Sequence, residues 1–124
     1  MNIELAFAKT IQNTEVGDKN LLSILHPNEV EVHLTGEEEV LRSLASPIGS
    51  PQLREIVKPG EKIVIITSDV TRPMPSRLVV PHVLDEIEAA GCSLADVTVV
   101  FALGSHRAQT EEEMRYLVGD ATYE

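Results

Sequence analysis

The chain has 124 residues, enough for one domain with a real core, and its composition is ordinary, with 43% hydrophobic and 24% charged residues. Its net charge of −10 argues against general nucleic-acid binding, which needs Lys and Arg to neutralise phosphates. No apolar run approaches the roughly 20 residues of a membrane-spanning helix. The single cysteine, Cys92, excludes an internal disulfide and fits a reducing compartment. We therefore expect a cytoplasmic globular protein that binds neither nucleic acid nor membranes.

The N-terminal region, residues 1–34, is predicted to be rich in β-structure. Ile3, Leu5 and Phe7 alternate with smaller or polar residues, a pattern typical of a half-buried strand. Three further short elements are predicted here, namely a weaker strand, a turn and an apolar strand, at 11–16, 17–20 and 21–25.

The α/β core is predicted to occupy residues 35–124 and to begin with two short helices. Thr35 to Glu38 has the pattern of a capping box, which starts a helix that Pro47 ends. A second helix is predicted to start at Pro51, because proline suits the first helical position, and to end before Pro59.

A strand–helix–strand unit follows. Ile63–Ile66 and Val97–Leu103 are continuous apolar runs that predict two fully buried strands. The helix between them is predicted from Ser76 to Ala90, with Gly91 at the position that favours glycine after a helix. Strands joined by such a crossover run parallel. A second capping box, in the Thr110–Glu113 segment, predicts a last helix. The fold class is therefore α/β, with a Rossmann-like parallel sheet core, helices packed on it and a β-rich N-terminal region.

Polar residues follow both predicted strands. Asp69, Thr71 and Arg72 come after the first strand, and His106 and Arg107 come after the second. Parallel strands end at the same edge of a sheet, where ligands of open α/β folds bind. Histidine exchanges protons near neutral pH, and arginine binds carboxylates or phosphates. The spacing supports a crevice for a small anionic ligand and leaves both simple binding and catalysis open.

Several common motifs are absent from the sequence. It contains no G-x-G-x-x-G, no Walker A loop and no G-x-S-x-G turn, and its four histidines make no zinc signature. The site therefore has to be interpreted from the two loops themselves.

Two motifs in these loops resemble those of the lactate racemase family, the nickel-pincer-nucleotide enzymes. SDVTRPMP at Ser68–Pro75 is similar to the S-D-x-T-R-P-x-P loop of that family. ALGSHR at Ala102–Arg107 is similar to its A-x-G-[TS]-H-R segment. SPIGS at Ser46–Ser50 also resembles the sequence that precedes these motifs in the family. The resemblance covers nearly the whole chain and is strongest from about residue 36 onward.

This resemblance implies a function and a set of site residues. Asp69, Val70, Thr71 and Arg72 would contact the nickel-pincer nucleotide, which is nickel held by pyridinium-3,5-bisthiocarboxylic acid mononucleotide. Arg72 would also lie near the substrate's anionic group, and His106 would be one of two histidine acid/bases. The implied reaction interconverts stereoisomers of a 2-hydroxy acid or sugar acid by proton-coupled hydride transfer. No residue of this chain is implied as a metal ligand.

The family's second histidine, its tethering lysine and its nickel-binding histidine all lie beyond the matching region. The resemblance therefore implies the N-terminal domain of a longer enzyme, inactive on its own, with the cofactor site completed by residues outside this chain. Apolar surface left uncovered would favour self-association. Two alternatives stay open: a non-catalytic α/β module that binds a small anion or nucleotide, and an α/β domain whose polar loop residues only cap helices.

Overall fold

The computed structural model describes residues 1–72 and 74–124. They form two compact units, Met1–Glu31 and Val32–Glu124, and each is described separately. In the described part of the chain, no helix has both the length and the apolar character required to cross a membrane.

The first unit is an antiparallel hairpin. Strand β1 (Asn2–Phe7) pairs with β2 (Thr10–Glu15), so that Asn2 lies opposite Glu15 and Phe7 opposite Thr10. A turn of 3₁₀ helix at Asp18–Asn20 follows at the predicted turn. The strands were predicted correctly, but the prediction that β1 is half-buried was wrong, because nearly all of its side chains are exposed. Of the β1 side chains, only Ile3 is half-buried.

The strand predicted at residues 21–25 was wrong. This segment has no regular structure, and the side chain of Leu22 is 99% exposed. A strand forms only where a partner supplies its hydrogen bonds. Within Met1–Glu31 the sheet consists of β1 and β2 alone, so the apolar run has no strand to pair with.

The second unit contains the predicted strand–helix–strand arrangement. Its helices and strands in chain order are α1 (Gly36–Ala45), α2 (Leu53–Ile56), β3 (Ile63–Ser68), α3 (Ser76–Ala89), β4 (Val97–Ala102), α4 (Glu111–Val118) and α5 (Asp120–Tyr123). Strands β3 and β4 are parallel, with Ile63 opposite Val97 and Ser68 opposite Ala102. The predicted α/β class and parallel pairing are confirmed.

The starts of the helices agree only in part with the predicted caps. The capping box of α4 is present, because Thr110 Oγ1 accepts from Glu113 N and Glu113 Oε2 accepts from Thr110 N. Helix α1 begins after Thr35 as predicted, but the Thr35 side chain makes no capping hydrogen bond. Helix α2 starts at Leu53 rather than at Pro51, because Gln52 forms a capping box with Glu55.

Helix α3 is the centre of the core. It packs against α1, α2 and α4, and its side chains Val80 and Ile87 are buried together with Leu117 and Val118 of α4. It ends where predicted, since Gly91 has a φ of +81° and the amide of Cys92 returns to the carbonyl of Ile87.

The two central strands are not fully buried, so that prediction was wrong. Alternate residues of β3 face outward, and Val64 and Ile66 are 57% and 72% exposed. Val100 of β4 is exposed on the same side as Ile66, its partner in the register. A continuous apolar run is typical of a strand covered on both faces. Within Val32–Glu124, the described residues cover one face of this sheet and leave Val64, Ile66 and Val100 exposed on the other.

Candidate functional site

The loop after β3 is organised by Asp69. Its Oδ1 accepts two hydrogen bonds from Thr71, one from the backbone amide at 3.1 Å and one from the hydroxyl at 2.7 Å. The amide of Arg72 donates to the backbone carbonyl of Asp69 at 3.2 Å. Asp69 therefore closes a tight turn with its own side chain, as aspartate commonly does, and is only 2% exposed.

The loop after β4 turns just as sharply and ends at His106. The amide of His106 donates to the carbonyl of Leu103 at 3.0 Å. Gly104 lies inside this turn with a φ of +59°, a conformation that a residue with a Cβ adopts only with strain. The turn directs the ring of His106 back toward β3.

The two loops meet in a hydrogen bond between His106 and Asp69, the convergence that parallel pairing predicts. The hydrogen bond joins Nδ1 of His106 and Oδ2 of Asp69. The pKa of the Asp69 carboxyl is lowered, first by the Thr71 hydroxyl hydrogen bond and then by the one from His106. The His106 side chain is 48% exposed, so part of its ring faces solvent.

The residues directly after Asp69 face solvent. Val70, Thr71 and Arg72 are all exposed. Within residues 1–72 and 74–124, no carboxylate forms an ion pair with the guanidinium of Arg72. This exposed cation, three residues after Asp69 in the same loop, therefore has no internal partner among the described residues. Pro73, which the sequence analysis included in the SDVTRPMP motif, lies outside those residues.

Arg107 is directed elsewhere. Its guanidinium binds both carboxylate oxygens of Glu113 on α4, at 2.7 and 2.8 Å. This contact, with the Thr110 amide, lowers the pKa of Glu113 to about 2. Sequence reasoning placed Arg107 with the ligand-binding residues, but in the structure it belongs to the cap of α4. The capping-box glutamate six residues later was the available signal.

Two buried hydroxyl groups support the first loop, and sequence reasoning missed both. Thr67 in β3 and Ser76 at the start of α3 hydrogen-bond each other at 2.5 Å. Both are polar residues at the boundary between an apolar run and the loop, which is the signal that marks them. Their contact closes the base of the loop that carries Asp69.

A groove of about 650 Å³ lies elsewhere in this unit, between β4 and the helices. Its walls include Leu84, Val99, Phe101, Met114 and Tyr123. No residue of the Asp69 or His106 loops lines it, and its walls are largely apolar. The candidate site at the ends of the strands is therefore separate from this groove.

The described residues do not include a metal-binding cluster. In residues 1–72 and 74–124, no group of three or more His, Cys, Asp and Glu side chains is arranged to hold a metal ion. What the loops offer is a hydrogen-bonded histidine, an exposed arginine and the backbone of a tight turn. This set can bind an anion and exchange a proton with it.

Comparison with known proteins places this arrangement in a family. The model of the lactate racemase N-terminal domain matches residues 7–124. The chain belongs to the lactate racemase N-terminal domain family. Strands β2 to β4, the two loops and helices α1 to α5 lie within the matched residues, and β1 reaches into them at Phe7.

The proteins similar in sequence to this chain include lactate racemases. The enzyme of Thermoanaerobacterium thermosaccharolyticum is 37% identical over 121 residues, which is 96% of this chain and 28% of that enzyme. The enzyme of Lactiplantibacillus plantarum is 34% identical over 114 residues, which is 90% of this chain and 27% of that enzyme.

A solved structure of the lactate racemase apoprotein from T. thermosaccharolyticum has the same fold in this region. It superposes with a TM-score of 0.81 at 36% identity, over 97% of this chain and 27% of that one. The chain therefore spans little more than a quarter of the length of these relatives, and the comparison confirms the predicted family and fold.

Proposed function

We propose that this chain is the N-terminal domain of a racemase or epimerase that acts on 2-hydroxy acids with the nickel-pincer nucleotide. The observation that carries the proposal is the pairing of His106 with buried Asp69, in a loop that also carries the exposed Arg72. Membership of the lactate racemase N-terminal domain family supports the same reaction class.

In this proposal His106 is the catalytic residue of the chain. With Nδ1 bound to Asp69, its exposed Nε2 takes the proton of the substrate's 2-hydroxyl group and returns it later. Inversion of a stereocentre requires an acid/base on each face, so His106 serves one face and a group outside the described residues serves the other.

Arg72 is the proposed anchor for the substrate. A guanidinium binds a carboxylate through two parallel hydrogen bonds. These bonds provide affinity and also fix the position of the substrate's 2-hydroxyl group. The absence of an ion pair to Arg72 in residues 1–72 and 74–124 supports this role. A small 2-hydroxy acid or a sugar acid carries the required carboxylate.

The loop also fits the organic part of the cofactor. Asp69, Val70, Thr71 and Arg72 would hold the nucleotide, with Val70 to Arg72 exposed and Asp69 fixing the turn. Metal ligands would have to come from elsewhere, because the described residues lack a suitable cluster. When bound, the nickel-pincer nucleotide supplies the acceptor and donor of the substrate's α-hydrogen as hydride.

The test uses the full-length polypeptide that carries this chain, purified with its cofactor loaded. We would measure nickel content and the loss of optical purity of chiral 2-hydroxy acids, for wild type and His106→Gln, with His26→Gln as the control. Racemisation that disappears only in His106→Gln, with nickel retained, supports the proposal. A wild type that binds nucleotide or anion without racemising any acid would favour a non-catalytic binding module.

We also propose that the uncovered face of the β3–β4 sheet causes self-association of this chain. Val64, Ile66 and Val100 expose adjacent apolar surface there. Sedimentation velocity should show association that Ile66→Lys weakens, while Val30→Lys, at an exposed position of the first unit, leaves it unchanged. A wild-type chain that stays monomeric at high concentration would refute this.

A further inference from the structure

We propose that Asp69 is the positioning residue of His106: its buried carboxylate keeps the ring hydrogen on Nδ1, so that Nε2 is presented as the atom that exchanges protons. This inference rests on the proposed function for its catalytic meaning. It adds a role toward the histidine to the place of Asp69 in the nucleotide-binding loop, and its structural part can be tested without a cofactor.

The hydrogen bonds of Asp69 leave it one orientation. Thr71 donates to Oδ1 through both its amide and its hydroxyl. A backbone amide can only donate, so the atom facing it must be an acceptor. Oδ2 is thereby directed at Nδ1 of His106. Each carboxylate oxygen therefore has its own partner, Thr71 for Oδ1 and His106 for Oδ2.

The state of the carboxylate decides which histidine nitrogen carries the hydrogen. An ionised carboxylate accepts hydrogen bonds and donates none. Nδ1 of His106 must therefore be the donor, and in the neutral ring Nε2 has a free lone pair. The Asp69 side chain is only 3% exposed and the His106 side chain 48% exposed, so the carboxylate acts on the substrate through the histidine.

A second histidine in the same unit provides an internal reference. The ring nitrogens of His82 face Glu37 at 3.2 Å and Asp85 at 3.6 Å. Both carboxylates are largely exposed, and no threonine fixes their orientation in the contacts described. His82 should therefore lack the strong preference for one tautomer that we infer for His106.

The first experiment measures the tautomer of His106 by NMR in protein labelled with ¹⁵N-histidine, with signals assigned through His106→Gln. The wild type should carry the hydrogen on Nδ1. In Asp69→Asn the amide oxygen must stay toward the Thr71 amide, so the NH₂ group faces Nδ1 and donates to it. The hydrogen then moves to Nε2. The variant should therefore favour the opposite tautomer, and not a mixture of the two.

Asp85→Asn is the matched control and should leave the His106 signals unchanged. A wild-type ring with its hydrogen on Nε2 overturns the proposal, and this result needs no variant to fold. Retention of the Nδ1–H tautomer in folded Asp69→Asn overturns it as well.

The second experiment asks whether the tautomer matters for turnover in the full-length polypeptide with cofactor loaded. Asp69→Asn should reduce kcat by about 10²–10⁴-fold, the usual contribution of a general acid/base, with little change in KM because Arg72 is untouched. Full activity of Asp69→Asn alongside an inactive His106→Gln would overturn the positioning role alone. Full activity of His106→Gln would instead overturn the proposed function.

Discussion

The hydroxyl groups of Thr67 and Ser76 share a hydrogen bond of 2.5 Å that joins the end of β3 to the first residue of α3. Both side chains are buried. The bond lies at the base of the loop that carries Asp69. It therefore links the strand from which the loop leaves the core to the helix at which the loop returns to it.

Thr67→Val and Ser76→Ala should each lower the free energy of unfolding by about 1–3 kcal/mol, because each leaves the remaining hydroxyl buried without a partner. The double variant should cost less than the sum of the two single changes. Urea unfolding of the four proteins measures this coupling. Strictly additive losses would mean that the two hydroxyls do not depend on each other.

The ion pair between Arg54 and Glu86 should matter most near neutral pH. The Arg54 hydrogen bonds lower the pKa of Glu86, which is buried on α3, below its usual 4.5. The stabilisation is therefore complete above about pH 4.5 and is lost as the pH falls through the lowered folded-state pKa. Arg54→Ala should lower the Tm clearly at neutral pH and less in acid.

Arg42→Ala is the comparison for this prediction, since its partner Glu39 lies three residues away on the same helix and its side chain is 43% exposed, far more than that of Glu86. Such surface pairs contribute little to stability. If the two alanine variants lost equal amounts of Tm at neutral pH, burial of Glu86 would not be the reason for the effect.

Glu113 should contribute to acid stability over a defined range of pH. Its folded-state pKa of about 2 lies below the usual 4.5, so its contribution is full above about pH 4.5 and disappears between 4.5 and 2. Glu113→Gln should lower stability at neutral pH and flatten this part of the pH profile. Glu112→Gln, at the exposed neighbouring position, should leave the profile as it is. Direct NMR titration of the Glu113 carboxyl checks the value.

Gly104→Ala should destabilise the turn that carries His106. No atom lies within 4 Å of a Cβ built at Gly104, so the cost comes from its φ of +59° and not from a clash. A left-handed conformation costs a residue with a Cβ roughly 1–2 kcal/mol. Gly104→Asn should cost less, because asparagine tolerates this conformation better. Equal losses for the two variants in urea unfolding would argue against backbone strain.

The sequence allowed the parallel sheet, the crossover helix and the meeting of Asp69 with His106 to be predicted. Local patterns carry these features: apolar runs, helical periodicity and caps such as the Thr110–Glu113 box. Once two parallel strands were placed, the residues after them had to lie at one edge of the sheet.

Features that depend on distant partners were predicted poorly. The apolar run at 21–25 forms a strand only if another strand pairs with it. The apolar run of β3 predicts a strand but does not show whether other residues cover both of its faces. The contact of Arg107 with Glu113 was missed for a similar reason. Whether the guanidinium binds a ligand or Glu113 depends on where α4 places the Glu113 carboxylate.

The register of the sheets also determines the order in which the protein assembles. In the first unit the chain doubles back at once, so Phe7 meets Thr10 across a short turn. Ile63 meets Val97 only after the whole of α3 has been spanned, and closing such a long loop is entropically costly. We therefore expect the hairpin to form early in refolding and the His106–Asp69 contact to appear last, with the arrival of the native state.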